Sequence, residues 1–388
     1  MAGPDRRVAA EGSASGGWTG PVVQVLATST GGVGAHVRDL SRGLVDGGAA
    51  VTVCGPAATE TRFRFGGVGA GFVAVEISAA TQPSDARAVA ALRRAVAAAD
   101  PQIVHAHGLR AGLVATLAAR SRCHRRPLVV TLHNAVLSRG LRGGASRLAE
   151  RMVARGADVV LGASADLVAQ AVAVGARDAR FVPVAAPALP PPGRSRAAVR
   201  AELGVGPDTP LVLSAGRLHP QKGYDVLVTA AARWRRRSPT PQVVIAGDGP
   251  SYASLSSRIA QTDAPVRLLG HRDDVPDLLA AADLAVVTSV WEARQLFAQE
   301  ALRAGVPLVA TSVGGLPELV GDAAVLVEPG DVDGVDRAVQ AMLDDPDTRA
   351  AYSRRGVRRA ADWPTSQQTL AGVTAVYAEL AGGGGESG

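Results

Sequence analysis

Short runs of Val, Leu and Ile recur from residue 22 onward, each followed by a stretch of helical length, and this alternation restricts the fold more than any other feature. "PVVQVLAT" leads into "VGAHVRDLSRGLVDGG" and then "AVTVC". The same order returns at "FVAVEI", "DARAVAALRRAVAAAD", "PQIVHAH", "GLVATLAARS", "PLVVTLH" and "ADVVLGAS". Runs that are apolar throughout suit strands buried on both faces, and strands joined through helices pair in parallel. The pattern predicts βαβ units in a parallel sheet covered by helices.

The alternation breaks once, at "VPVAAPALPPPGRSR" (182–196), where Pro183, Pro187, Pro190, Pro191 and Pro192 prevent regular helix or central strand. It then restarts with "PLVLSAG", "GYDVLVTAAARWRRR", "PQVVIAGDG", "PVRLLG", "DLAVVTS", "PLVAT" and "AAVLVEPG". A chain of 388 residues holds about two domains at roughly 150 residues each. The expected organisation is a low-complexity, disordered tail at 1–20, an N-terminal Rossmann-like domain at 21–183 and a linker at 184–196. A C-terminal Rossmann-like domain follows at 197–362, then a helix at 363–381 packing back on the N-terminal domain, and a disordered tail at 382–388.

Hydrophobic residues make up 47% and charged residues 20%, as in a globular protein able to bury sizeable cores. The net charge is +6, and its source is local: residues 110–155 hold ten Arg against one acid, Glu150, a surplus of nine. Neither a nucleic-acid motif nor an aromatic platform accompanies that segment, so no nucleic-acid partner is expected. Cys54 and Cys123 are far apart and in no metal-ligand spacing, which fits a reducing cytosol. The first twenty residues lack the apolar core of a signal peptide, and no apolar run reaches 18 residues. A soluble, cytoplasmic protein is expected.

The motifs gather at the carboxyl ends of the predicted strands, where doubly wound sheets bind ligands. In "SVWEARQLFAQEALRAGVPLVAT" (289–311), Glu292 falls in the loop past a strand and Glu300 in the helix that Gly305 and Pro307 end. Eight residues of unbroken helix would separate the acids by about 12 Å, whereas a retaining glycosidase needs its carboxyl pair about 5 Å apart. The spacing suits two polyol groups at the ends of an elongated ligand, with an anion at the helix N-terminus between them. Taken alone, the pair also reads as two solvated glutamates. "VLSAGRLHPQKGYDVLV" places Arg217 two residues beyond a strand and Lys222 at the start of the next helix. Two cations at such a turn hold a diphosphate and neutralise its charge as it leaves; as isolated residues they read as surface charges.

Gly31, Gly32 and Gly34 in "VLATSTGGVGAHV" permit close backbone approach to a ligand, or simply shape a turn. The third glycine of the dinucleotide fingerprint is missing and the second strand, "VTVCG", carries no acid at its end, which argues against a nicotinamide enzyme. No G-x-x-x-x-G-K-[ST] loop is present. His105, His107 and His133 fall at strand ends, either as structural histidines or as site residues.

Together these pieces resemble the retaining glycosyltransferases of family 4 from about residue 22 to 380. The resemblance is carried most by "GRLHPQKGYDVLV", similar to G-R-[LF]-x-x-x-K-G, and by "EARQLFAQE", similar to E-x7-E. "VVIAGDGP", "ADLAVVTS" and "ALRAGVPLVATSVGGLPELV" support it. The fold it implies is α/β of the GT-B type: two tandem Rossmann-like, doubly wound parallel-sheet domains facing across a cleft. The activity it implies is retaining, metal-independent, hexosyltransferase-type transfer from a nucleotide-diphosphate sugar, with no cofactor, to a glycolipid, cell-envelope or small-molecule acceptor.

The resemblance also implies roles. Arg217, Lys222 and His133 form the catalytic set, the two cations on the donor diphosphate and His133 near the transferred sugar. Gly31, Gly32, Glu292, Leu296 and Glu300 form the donor-binding set, with Glu292 on the sugar and Glu300 on the ribose; no metal ligand is expected. Two departures stand out: Ala293, Arg294, Gln295, Leu296 and Phe297 occupy the family's G-F-G-L-P, and "VAAPAL" replaces N-G-V-D in the linker. A sugar-nucleotide epimerase of the same architecture and a catalytically silent relative are the alternative readings. Some relatives settle on anionic membranes through a basic amphipathic helix. In "SRGLRGGASRLAERMVARGA", Leu148, Met152 and Val153 lie beside Arg147, Arg151 and Arg155, so peripheral contact at the inner membrane face through 110–155 is an expectation beside that of a solvated helix face.

Overall fold

The computed structural model describes residues 17–29, 31–78, 85–119, 126–134, 140–182, 184–185 and 189–382, apart from the side chains of residues 140–143 and 145. The tails expected at 1–20 and 382–388 fall mostly outside these residues, as do Cys123, Pro183 and Pro187. The chain divides into two compact units, one formed up to Pro187 and again from Pro364, the other by Ala188–Trp363.

The first unit contains β1 (Val22–Leu26), β2 (Val51–Gly55), β3 (Gly71–Ala74), β4 (Ile103–His107), β5 (Leu128–Leu132), β6 (Val159–Gly162) and β7 (Ala179–Phe181). They form one parallel sheet in the order β3-β2-β1-β4-β5-β6-β7. The second unit repeats the plan with β8 (Leu211–Ala215), β9 (Gln242–Ala246), β10 (Val266–Gly270), β11 (Leu284–Val287), β12 (Leu308–Thr311) and β13 (Ala324–Val327). Its parallel order is β10-β9-β8-β11-β12-β13. Both are Rossmann-like: the order reverses beside the first strand of each sheet, and ligands of such sheets bind at that switch point.

Every residue of β1, β4 and β8 is buried, because helices cover both faces of each sheet. Polar groups in such strands cost stability unless they are paired. Ser214 meets that demand by donating to the Val286 carbonyl at 2.6 Å, which ties β8 to β11. The closing helix, Ser366–Gly382, belongs to the first unit. Its Val373, Val376 and Tyr377 join Val22, Leu26 and Leu40 in one apolar cluster, each buried side chain contributing about 2 kcal/mol of transfer free energy.

Past the prolines, Ser195 caps the helix Arg196–Glu202 by accepting from Ala198 N–H at 3.2 Å. The N–H groups of Gly193 and Arg194 donate to Asp277 at 2.6 and 3.2 Å, anchoring this segment on the helix Val275–Ala281.

The basic helix Gly140–Gly156 does not keep its apolar side together. Val153 is in the core of the first unit against the helix Gly108–Ala119, while Leu148 is 59% exposed. Packing against the sheet thus takes one of the three residues expected to form a membrane-facing stripe. Arg110 is paired with Asp85 at 2.8 Å and Arg126 with Asp100. Arg120, Arg122, Arg125 and Arg139 lie outside the described residues. Among the described residues no helix is long and apolar enough to cross a membrane.

Candidate functional site

In the second unit the switch point lies between β8 and β11. The chain leaves β8 at Ala215, passes Gly216 and Arg217, and forms a single 3-10 turn, Pro220–Lys222, before the helix Tyr224–Ala231. Gly223, at φ 60°, lets this turn lie against the end of β11, since a Cβ there would stand 2.1 Å from the Thr288 carbonyl oxygen. Val290 N–H donates to the Gln221 carbonyl at 2.8 Å, and Gln221 Nε2 donates to the Trp291 carbonyl at 2.9 Å. These bonds bring two sequence-distant charges together. Lys222 Nζ donates to Glu292 Oε1 at 2.6 Å, and Ser289 Oγ donates to the same oxygen at 2.7 Å.

Glu292 is also pinned through its backbone: Gly315 N–H donates to its carbonyl at 2.8 Å, and Gly314, at φ 52°, leaves room for that approach. The side chains of Lys222 and Glu292 are 18% and 8% exposed, so either one alone would be a poorly solvated charge. Arg217 is exposed and forms no ion pair among the described residues. Leu296 opens the helix Leu296–Arg303 without a side-chain cap, which leaves its first backbone N–H groups available to an anion. Glu300 lies one turn further on. Burial pushes its carboxyl pKa up against the opposing pull of Arg303, and it accepts no side-chain hydrogen bond among the described residues. Arg294 is also largely enclosed: burial draws its guanidinium down to about 10, with Glu318 opposing.

The corresponding edge of the first unit, between β1 and β4, holds imidazoles in place of charges. Gln24 of β1 stands in register with His105 of β4. His107 Nε2 lies 2.6 Å from Gln24 Oε1, which can only accept, so the proton of His107 sits on Nε2 and its Nδ1 carries a lone pair. Gln24 Nε2 donates to the Tyr377 hydroxyl at 3.2 Å. That hydroxyl is hydrogen-bonded to His105 Nδ1 at 2.6 Å, and His105 Nε2 to Thr131 Oγ1 at 2.7 Å. His133, one residue past β5, places Nε2 3.3 Å from His107 Nδ1. His36, on the helix Gly32–Asp46, packs edge-on against both rings.

Burial lowers all four imidazole pKa values. It takes His36 to about 4 despite Asp39, and His105 to about 3 with His36 adding to the effect. His107 and His133 fall well below the usual range, mainly by burial and further by their histidine neighbours. All four rings are neutral at pH 7. Gly31 caps the helix that Gly32 opens, and a Cβ on Gly31 would meet nothing within 4 Å, so packing does not demand glycine there.

The structure therefore brings Lys222 into contact with Glu292, and His133 into contact with His107. Arg217, Leu296 and Glu300 belong to the same unit as the ionic couple but make no hydrogen bond or ion pair with it. Gly31, Gly32 and His133 belong to the other unit. Sequence reasoning missed Ser289, His36, Gln24 and Tyr377. His36 stands four residues past the glycine pair and was open to notice, whereas Tyr377 is 353 residues from Gln24 and nothing in the sequence links them.

Two family models match the chain: "Glycosyl transferase 4-like domain" over residues 31–187 and "Glycosyl transferases group 1" over residues 195–359. The glycogen synthase of Mycobacterium tuberculosis is 38% identical over 173 residues, covering 42% of this chain and 41% of that protein. The D-inositol 3-phosphate glycosyltransferase of Nocardia farcinica is 35% identical over 289 residues, covering 67% of this chain and 62% of that protein. The matches thus span less than two thirds of these curated relatives. Among solved structures, Anabaena Alr3699/HepE, crystallised with UDP and glucose, covers 92% of this chain and 99% of its own, with a TM-score of 0.76 at 21% identity. The sucrose-phosphate synthase of Thermosynechococcus elongatus covers 94% and 100%, also at 0.76 and with 20% identity. With both family models met in order, and with two Rossmann-like units like those of these structures, the chain belongs to the family-4-type glycosyltransferases of GT-B architecture.

Proposed function

We propose that the chain is a retaining glycosyltransferase that moves a sugar from a nucleoside-diphosphate donor to a hydroxyl acceptor. The observation that carries this reading is the Lys222–Glu292 couple at the switch point of the second unit. A cation hydrogen-bonded to a carboxylate offers, within one side chain's reach, a partner for a phosphate oxygen and an acceptor for a sugar hydroxyl. Arg217 adds a second, unpaired cation on the same loop, and the uncapped start of the helix Leu296–Arg303 adds backbone N–H groups. Glu300, a half-buried carboxylate that accepts no side-chain hydrogen bond among the described residues, suits the paired hydroxyls of a ribose. Leu296 is the first residue of that helix. The first unit contributes the open Gly31 backbone, Gly32 and the neutral imidazole of His133 to this reading, and it presents the acceptor.

In the reaction, the donor's anomeric C–O bond breaks and its electron pair leaves on the diphosphate, whose growing charge Arg217 and Lys222 stabilise. The acceptor oxygen attacks from the same face, and its proton passes to the departing phosphate oxygen. This route needs neither a protein nucleophile nor a metal. The nucleotide-sugar donor in this reading is supported by the similar Anabaena protein, which was crystallised with UDP-glucose.

Screening UDP-, GDP- and ADP-sugars for thermal stabilisation tests the reading, because a ligand of the native state alone raises its melting temperature. One donor class should stabilise the chain and give product only when an acceptor is added. Conversion of the donor without an acceptor would indicate an epimerase, and no nucleotide binding a silent relative.

A further inference from the structure

We propose that His36, His107 and His133 form a binding site for a borderline transition-metal cation of the Zn2+ class. Each offers one ligand nitrogen, these nitrogens all lie within 4.8 Å of one another, and all three side chains are buried. His107 Nδ1 and His133 Nε2 are 3.3 Å apart. Two nitrogens bound tetrahedrally to zinc at about 2.05 Å are themselves about 3.3 Å apart, so this pair already has the ligand spacing. The three ring centroids form a nearly equilateral triangle with sides of 5.6, 5.3 and 5.6 Å. Three imidazoles on one tetrahedral ion, with the ring centre roughly 1.1 Å behind the nitrogen, place their centroids about 5.2 Å apart. The His36 nitrogen lies within 4.8 Å of the other two and would have to approach them to complete the set.

The surroundings add an independent sign. A ligating histidine generally donates its other ring N–H to a carbonyl or carboxylate, which fixes the tautomer and aims the lone pair at the ion. His107 makes that bond with Gln24 Oε1 at 2.6 Å, and Gln24 is held in turn by Tyr377. The ion would replace the hydrogen bond between His107 and His133. With the proton of His133 on Nδ1, both facing nitrogens present lone pairs. An all-imidazole set suits zinc, cobalt or nickel, and offers Mg2+ and Ca2+ none of the oxygens they prefer. Three protein ligands leave a fourth position for water or a ligand oxygen. The site shares His133 with the sugar-transfer reading, but its test reads the metal directly, so failure of either is distinguishable from failure of the other.

The test uses the full chain, stripped with a chelator, then titrated with Zn2+ by calorimetry and with Co2+ by visible absorption. The expected result is one equivalent bound, an intense tetrahedral Co2+ spectrum and X-ray absorption showing three imidazole nitrogens. His36→Gln and His107→Gln should weaken binding at least a hundredfold, while His219→Gln and His271→Gln, exposed histidines of the other unit, should leave it unchanged. Failure of the unaltered protein to bind one equivalent would overturn the site, as would fewer than three imidazoles around the ion. So would binding that survives in the folded His36→Gln protein. The measurements on the unaltered chain decide the question even where a variant does not fold.

Discussion

At the switch point of the six-stranded sheet Lys222 and Glu292 meet as charges; at that of the seven-stranded sheet His107 and His133 meet as neutral rings. The strand order about the switch is the same in both sheets, but the two pairs stand at different places: Lys222 and Glu292 follow β8 and β11, which flank the switch, whereas His107 ends β4 and His133 follows β5. The residues differ as well. Charge in the second unit suits a phosphate and its leaving group, whereas the imidazole group in the first can orient hydroxyls without attracting an anion. The comparison teaches that one strand plan can carry charges at one switch and neutral rings beside the other, so the side chains rather than the topology set what each unit can hold.

The largest stability effect should come from separating the charges. Lys222→Met leaves Glu292 buried without its cation and should cost about 3 kcal/mol in denaturant unfolding. Lys222→Met combined with Glu292→Leu should recover most of that, since removing both charges removes the desolvation penalty too. A double variant no more stable than the single would break the ion-pair side of the comparison.

Acid should sharpen the comparison next. Burial holds the pKa of His36, His105, His107 and His133 below the usual 6.5, so the unfolded chain binds more protons than the native unit as pH falls. Stability from these groups is therefore complete above pH 6.5 and declines below it, down to about pH 4 for His36 and about pH 3 for His105, by up to about 1.4 kcal/mol per pH unit for each histidine kept neutral. Glu300 has the opposite sign: its raised pKa favours the native state at low pH. Hydrogen exchange at pH 5 in the absence of added metal should show the first unit opening before the second. Equal loss of protection in both would contradict the division.

Smaller effects are expected at single partners. Glu300→Gln should weaken donor binding about tenfold, the worth of one or two hydrogen bonds to a charged acceptor. It should also raise the melting temperature at pH 7, where the native carboxylate is charged against its environment. Tyr377→Phe keeps the ring in the core but loses the hydroxyl that joins Gln24 to His105. It should cost about 1 kcal/mol of stability and lower turnover a few-fold, and unchanged turnover would remove the C-terminal helix from the reaction.

The fold was legible because its signal is periodic and local: the apolar runs between "PVVQVLAT" and "AAVLVEPG" became strands, buried at the centres of the sheets, whereas "FVAVEI" and "PVRLLG" became partly exposed edge strands. Glu292 and Lys222 were legible as motif residues, yet nothing in their spacing showed that they would bond to each other across 70 positions. That contact comes from Gly223 and the Gln221 bonds, which fold the turn after β8 onto the end of β11. Tyr377 was invisible for a similar reason, since only the return of the closing helix to the first sheet brings it to Gln24. The basic helix shows the converse: its apolar residues were visible, but whether Val153 faces a core or a membrane is decided by packing against Gly112.

The central claim is that the cations after β8 act on charge that develops as the diphosphate departs. Turnover of Lys222→Ala at saturating donor, with donor affinity measured separately by calorimetry, tests it most directly. The account predicts a fall in kcat of about a hundredfold or more, with donor affinity changed only a few-fold. Undiminished kcat in a folded variant would contradict it.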